Sequence, residues 1–355
     1  MKRLFAFLLS LLLLLPLLAG CAKTEEKQRF IAYEYRYFDT VTQIVGYASS
    51  QEEFDAVCHK ILTLLEQYHK AFDIYYSYTS VSEGEPLTGL RDVNRRKNAV
   101  EGTMPVSDTV FSLLEFSLAM YEQTEGRTNV AMGSVLRLWH DCREEAADDP
   151  ASARLPDEAA LLAAGAHTDI RSVILNRAEG TVTITDDQLT LDVGAVAKGY
   201  AAERIAEALE AEGIEGYLLN LGGNVRTVGA RPNGESWTVG VENPDPTAEE
   251  AYVAYLNLSD GAVVISGSYQ RYYEVDGVRY HHIIDPDTLR PENRYLSVAV
   301  IADDSGVGDA FSTALFNLEL SDGLALVERT EGIEAMWVLP DGSTCQSSGF
   351  AAYVK

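Results

Sequence analysis

Apolar positions along the chain follow two textures, and the change between them predicts the fold class. Up to about residue 168 they recur mainly at helical spacing. In "QEEFDAVCHKILTLLEQYHKAFD" (51–73), Phe54, Val57, Ile61, Leu64, Leu65 and Tyr68 form one stripe, after an expected strand over 40–48. A second amphipathic helix is expected over 109–124, with Ser107 and Asp108 available as caps. The charged stretch 144–160, with its two prolines, reads as a surface loop leading into a short helix. From about residue 169 short β-patterned runs take over: "IRSVILN", "TVTIT", "LTLDVG", then further runs from 216 onward. A helix over 195–213, ending at Gly213, interrupts them. Asp276-Gly277 between alternating runs marks a hairpin. Two helices are expected over 306–329, broken near Ser321-Asp322-Gly323, and "AMWVLP", "STCQSS" and "FAAYV" close the chain as strands. With no fixed-period repeat, this order predicts an α+β protein with mixed, largely antiparallel sheets and packed helices, built as one continuous two-lobed unit.

The N-terminus changes the picture of where the chain resides. Lys2 and Arg3 precede an apolar run over 4–20, which ends in Leu18-Ala19-Gly20-Cys21. At about 1.5 Å per residue such a run sits at the lower limit for crossing a bilayer. Small residues followed at once by cysteine resemble a bacterial lipoprotein signal. The expectation is a signal peptide over 1–20, lipidation at Cys21, a tether over 21–35 and one domain over 36–355. The protein would then be extracytoplasmic and lipid-anchored to the bacterial cell membrane.

Charge and cysteine usage narrow the partners. The net charge of −26 becomes −28 once Lys2 and Arg3 leave with the signal. So acidic a surface repels phosphates, which argues against nucleic acid. Any phosphorylated ligand needs a metal ion or a local cluster of donors. Cys58, Cys142 and Cys345 remain beside Cys21, without a CxxC pair, which excludes a disulfide framework and a structural zinc site.

Four stretches carry candidate chemistry: Asp192 to Gly199; Asn220, Gly222, Gly223 and Asn224; Arg271, His281, His282 and Asp285; and Asp309, Ser312 and Thr313. Each has a plain alternative. The glycine pair can be only a tight turn, and Asp309 only a helix cap. The first stretch is not a P-loop, because Lys198 precedes Gly199. Together they read differently. Asp309 and Thr313 are four apart, on one face of a helical turn. A carboxylate, a hydroxyl and a backbone carbonyl suit Mg²⁺, whose remaining positions take water and phosphate oxygens. Glycine turns bring amides close to a pyrophosphate, and a neutral histidine accepts a proton from an attacking hydroxyl. The residues point to metal-assisted phosphoryl or nucleotidyl chemistry.

The runs "DVGAVAKGYAAERI", "LLNLGGNVRTVG", "SGSYQRYYEVDGVRYHHIIDPDTLRP" and "DAFSTALF" occur in the order and spacing of the FAD:protein FMN transferase (ApbE-like) family. The chain resembles that family over about residues 36–354, which implies an ApbE/T-fold-like unit. The implied activity is Mg²⁺-dependent transfer of FMN from FAD to a threonine or serine hydroxyl of an acceptor protein, with release of AMP. The implied acceptor is an extracytoplasmic redox-complex subunit or another lipoprotein. By the same resemblance Asp309, Thr313 and the Ala195 carbonyl hold the metal, and His282 is the general base. Asp192, Lys198, Ile283, Phe38, Tyr75 and the run Arg127, Thr128, Asn129 line the FAD site. Departures are Ala195 in place of a glycine, Thr128 and Asn129 in place of Phe and Asp, and Ser134 in place of Pro. Two alternatives share the site: hydrolysis of FAD to FMN and AMP, and flavin binding without catalysis by a lipid-anchored protein.

Overall fold

The structure, a computed structural model, describes residues 27–78, 80, 88–96 and 99–355. The signal run and Cys21 lie outside the described residues. The described chain opens with strand β1 (Gln28–Glu34), which pairs along its whole length with β2 (Thr42–Ala48). Residues 28–34 of the expected tether are therefore part of the fold. Phe30 and Ala32 turn inward while Ile31 and Tyr33 stay exposed. That period-2 pattern is short and set among charged residues, which disguises it as linker.

The predicted helix follows as α1 (Gln51–Phe72), with Ser50 accepting from the Glu53 amide and Phe54, Val57, Ile61 and Leu65 buried. Next come α2 (Leu90–Asn94), β3 (Thr103–Pro105) and α3 (Asp108–Gln123), the last capped by Ser107. α4 (Gly133–Asp148) runs through residues 144–148, so the expected loop begins later than its charge implied. Glu and Ala are good helix formers, and charge alone does not end a helix. α5 (Glu158–Gly165) precedes β4 (Val173–Asn176) and β5 (Thr181–Ile184), which join β3 in a three-stranded sheet ordered β3-β5-β4.

α6 (Ala197–Glu210) ends as expected near Gly213, whose φ of +71° suits glycine. β6 (Tyr217–Leu221), β7 (Asn224–Val228), β8 (Trp237–Glu242), β9 (Tyr252–Leu258) and β10 (Gly261–Gly267) follow. β11 (Tyr272–Val275) and β12 (Val278–His281) form the predicted hairpin about Asp276-Gly277. Then come β13 (Ser297–Ala302), α7 (Ser305–Asn317), α8 (Leu320–Glu328), β14 (Ile333–Val338) and β15 (Thr344–Gln346).

Two sequence expectations shift here. The break between α7 and α8 falls at Leu318-Glu319, and Ser321-Asp322-Gly323 lies inside α8. Gly323 is tolerated there because it packs on Trp337, whose ring would stand 3.1 Å from an added Cβ. The closing "FAAYV" is a 3₁₀ turn over Phe350–Tyr353, anchored by the fully buried Phe350.

Eight strands form the main sheet in the order β1-β2-β6-β7-β10-β13-β14-β15, every neighbouring pair antiparallel. Alternate residues face opposite layers. Ile44, Leu219 and Leu221 pack with Phe54 and Ile61 of α1 and Ile205 and Leu209 of α6, and Val298 and Val300 pack with Phe311 and Leu315 of α7. On the other face Val45, Val225, Val263 and Met336 meet Trp237, Val241 and Leu256 of the β8–β9 hairpin. The second lobe gathers Leu113, Val182, Leu191 and Tyr200 around the small sheet. Among the described residues no helix is long and apolar enough to cross a membrane.

The lobes meet where α6 crosses α7 at Gly199. A Cβ there would lie 2.2 Å from the Ser305 carbonyl oxygen and 2.5 Å from the Asp309 Cβ. Below the crossing, Glu203 accepts from the Ser305 amide at 2.7 Å and from Arg226 at 2.9 and 3.0 Å. Gly199→Ala is expected to lower stability by about 3 kcal/mol, because both clashes are with backbone or a helix Cβ that cannot swing away. Urea unfolding measures this; a loss below about 0.5 kcal/mol would show that the helices part freely.

Candidate active site

The run Asp192–Gly199 forms a turn that feeds α6. The Asp192 carboxylate accepts from the Gly194 amide at 2.8 Å, and the Asp192 amide donates to Val130 O at 2.8 Å. Just upstream, the Asn94 side chain both donates to Leu191 O at 2.8 Å and accepts from the Leu191 amide at 2.7 Å. Asn94 thus takes the place of a neighbouring strand for Leu191, and "LTLDVG", expected as a strand, forms only an isolated parallel bridge from Thr190 to Met132. Neither Gly194 nor Ala195 has a positive φ. The alanine is therefore accommodated without strain, and its carbonyl is as available as a glycine's.

Val196, at the start of α6, offers no side-chain cap. The Asp309 carboxylate from α7 supplies one, accepting from the Gly199 amide at 2.9 Å. Asp309 is 4% exposed. Burial pushes its pKa up, while Lys198, the Gly199 amide and the Asn224 side chain pull it back. Asn224 is itself buried, and its Oδ1 has no hydrogen-bond partner among the described residues. Thr313 lies one turn beyond Asp309 on α7. Ser312 between them donates to Asp309 O at 2.9 Å and shares a 2.8 Å contact with Ser266, which ties α7 to β10.

Among the described residues no cluster of three or more His, Cys, Asp or Glu could hold a metal. The donors here are of another kind: one buried carboxylate, a hydroxyl, a main-chain carbonyl and an uncommitted amide oxygen. Such hard, sparse oxygen donors fit Mg²⁺, which keeps water and ligand oxygens in most positions, and they do not fit zinc.

The glycine pair makes a turn, as its plain reading held. Gly222 and Gly223 have φ of +58° and +96° and join β6 to β7 in two residues. Gly222 also lets Thr40 approach, since a Cβ would stand 1.9 Å from the Thr40 hydroxyl. That brings the Phe38–Asp39 corner, both residues at positive φ, onto this side of the sheet. The Arg271 guanidinium reaches the Asp39 carboxylate at 3.1 Å.

His281 and His282 separate as strand alternation requires. His281 is 2% exposed, accepts from the Ile283 amide at Nδ1 and sits 3.1 Å from Glu292 O through Nε2, so it is a satisfied core residue. His282 is half-buried, its amide donates to Arg271 O at 3.1 Å, and its Nδ1 lies 3.3 Å from the same carbonyl. A carbonyl only accepts, so Nδ1 carries the hydrogen and the Nε2 lone pair is free. Desolvation first, then the charges of Arg271, His281, Lys198 and Arg143, hold the His282 pKa down at about 3.

His140 and Arg143, one turn apart on α4 and in contact at 3.0 Å, also act on Asp192. Burial is the main cause that raises the Asp192 pKa. The Tyr75 ring lies tilted against His140 with centres 5.2 Å apart, and desolvation followed by Asp192 raises its phenol to about 12. Phe38 packs against His69 with ring centres 5.6 Å apart. Ile283 is buried beside His282. The structure therefore gathers Asp192, Lys198, Asp309, His282 and Tyr75 into one electrostatic neighbourhood, with Ala195 and Thr313 on the same two elements.

Arg127, Thr128 and Asn129, expected along the FAD site, make their contacts within the chain. Thr128 donates to Ala310 O at 2.6 Å, and Asn129 bonds Thr168 O and the Ala131 amide, each at 2.9 Å. Arg127 pairs with Asp287 on a polar surface depression also lined by Tyr121 and Arg171. Through the Ala310 carbonyl, Thr128 ties its loop to α7 one residue from Asp309. Asn94, His140 and Arg143 carried no sequence signal, whereas Asn224 stood out beside the glycine turn, at the start of β7.

The ApbE family profile matches residues 38–337. An FAD:protein FMN transferase of Treponema pallidum strain Nichols is 34% identical over 319 residues, covering 85% of this chain and 82% of that protein. One from Klebsiella pneumoniae strain 342 is 32% identical over 295 residues, covering 83% and 85%. Among solved structures, the ApbE protein of Thermotoga maritima superposes with a TM-score of 0.78 at 28% identity, covering 92% of this chain and 100% of that one. The flavin transferase ApbE of Vibrio cholerae gives 0.74 at 25% identity, covering 92% and 99%.

His281 makes the fold acid-sensitive. Desolvation holds its pKa down at about 4, against about 6.5 in the unfolded chain. The unfolded state therefore binds the proton first. The stabilisation is complete above about pH 6.5 and is lost as pH falls toward 4, by up to roughly 3 kcal/mol. Urea midpoints measured across this window should fall for the native chain and change less for His281→Gln, which keeps a donor and an acceptor. Parallel pH profiles for the two would exclude His281 as the cause.

Proposed function

The chain belongs to the ApbE family and transfers FMN from FAD to protein; on that premise we propose that the acceptor group is a threonine or serine hydroxyl and that AMP leaves. The observation that carries this reading is the Asp309 carboxylate. It is buried, its hydrogen-bond donors are neutral amides, and the cation acting on it is Lys198. A buried carboxylate so placed favours a further positive charge. Asp309, Thr313 and the Ala195 carbonyl are the residues that would hold Mg²⁺. When bound, the ion neutralises charge on the pyrophosphate of FAD.

The remaining work falls to the chain's own residues. Lys198, Arg271 and Arg143 surround His282 with positive charge, in a protein whose surface is strongly acidic. Entry of the anionic pyrophosphate offsets those charges and raises the histidine's proton affinity toward the working pH. Its free Nε2 then takes the proton of the acceptor hydroxyl as that oxygen bonds to the FMN phosphorus. The phosphorus–oxygen bond to AMP breaks, and AMP departs with the bridging oxygen. Such a displacement needs positioning and electrostatics, with no covalent enzyme intermediate. On this reading Asp192, Tyr75 and Phe38 supply FAD-facing walls.

The expected lipidation at Cys21 supports an extracytoplasmic acceptor, either a redox-complex subunit or a second lipoprotein. Soluble protein starting at residue 22, with FAD, Mg²⁺ and an acceptor domain, is analysed by intact mass and AMP release. Stoichiometric AMP and one added FMN on the acceptor are expected. Free FMN and AMP without labelling would instead identify an FAD hydrolase, and retained FAD without turnover a binding protein.

Asp309→Asn is expected to reduce transfer at least about 10³-fold. Loss of a charged cap on α6 should lower stability by only about 1 kcal/mol. His282→Gln should leave FAD affinity within about twofold and slow transfer by about 10²–10⁴-fold. Unimpaired transfer by His282→Gln would remove the general-base assignment.

A further inference from the structure

The outward stripe of β1 has no role in the site and no covering layer among the described residues. Ile31, Tyr33 and Tyr35 alternate along the sheet edge at 41%, 55% and 69% exposure. They share the sheet face on which the β8–β9 hairpin packs, since Ile31 stands opposite Val45. Tyr33 is oriented by a 2.9 Å hydrogen bond from Gln43. Lys27, Arg29 and Arg36 against Glu34 make residues 27–36 locally positive in a chain of net charge −26. Tyrosines with flanking basic residues are the chemistry of a membrane–water interface.

Chain length selects the occupant. Whatever conformation residues 22–26 adopt, six steps of at most about 3.6 Å join Cys21 to Lys27, so β1 begins within roughly 20 Å of a lipidated Cys21. β1 then leads directly into the Phe38–Asp39 corner of the site. If the strand stood upright on the membrane, its seven residues would lift that corner by a further ~24 Å.

We propose that the Ile31–Tyr33–Tyr35 stripe rests in the headgroup layer of the membrane that holds Cys21. The strand then lies flat and the cleft mouth opens close to the lipid surface. The acceptor hydroxyls it serves are those near the same membrane. This rests on the lipid-anchor reading, and its test is independent of catalysis.

The lipidated full-length mature chain is reconstituted in vesicles of phosphatidylethanolamine and phosphatidylglycerol. In a Cys345→Ser background, spin labels are placed through Tyr33→Cys and, on the loop before β15 at the opposite sheet edge, through Ser343→Cys. The label at 33 should lose accessibility to a nickel chelate by about threefold or more on membrane attachment, with that at 343 unchanged. Ile31→Asp with Tyr33→Asp should slow labelling of a vesicle-anchored acceptor about tenfold, leaving the rate on the same acceptor in solution unchanged. Equal accessibility at 33 and 343 on vesicles would overturn the proposal while leaving the anchor intact. Absence of lipid on Cys21 by mass would overturn anchor and stripe together, with transferase activity still readable on the soluble acceptor. Protection of residue 33 that appears with rising protein concentration and no vesicles would assign the stripe to a second copy of the chain and overturn it too.

Discussion

The site depends on two helices that cap each other. Asp309 of α7 accepts the Gly199 amide at the start of α6, and Glu203 of α6 accepts the Ser305 amide at the start of α7. Neither exchange is possible unless the helices touch, and they touch because residue 199 has no side chain. Arg226 from β7 compensates Glu203, its side chain 5% exposed, so the buried charge at the crossing is paired. The same contact fixes the distance between the Ala195 turn and the Asp309–Thr313 face. The carboxylate that caps α6 is thus the same one proposed to hold the metal.

Charge is arranged in opposition to the surface. The exterior repels anions, yet Lys198, Arg271 and Arg143 converge on His282, and His140 and Arg143 on Asp192. A local cation cluster inside an acidic shell favours a ligand that brings its own negative charge deep into the cleft. The same charges, after desolvation, hold the His282 imidazole neutral. The carbonyl of Arg271 sets the tautomer, so one residue supplies both the charge that tunes the histidine and the acceptor that orients it.

Much of this was legible in the chain because it depends on short spacings. The i, i+4 relation of Asp309 and Thr313, the alternation that separates His281 from His282, the Gly222-Gly223 turn and the stripe of α1 are local regularities, and the structure retains each of them. The antiparallel α+β class followed from the order of such elements. Local patterns also misled where two states share a composition. A charged edge strand looked like a linker at β1, and an acidic helix end looked like a loop at 144–148.

By itself, then, the sequence determined which residues could do chemistry and which elements carry them, since backbone periodicity and turn geometry act over a few residues. Tertiary structure alone decided which of them meet. Asn94 replaces a strand for Leu191 across 97 positions, Thr128 reaches Ala310 across 182, and Gly199 finds Asp309 across 110. Such pairings tie Thr128 to α7 and Asn129 to Thr168, and others bring Arg143 beside Asp192 and His282. No spacing rule reaches so far, because such contacts are selected by the packing of whole layers, where close approach and buried-polar satisfaction are settled together.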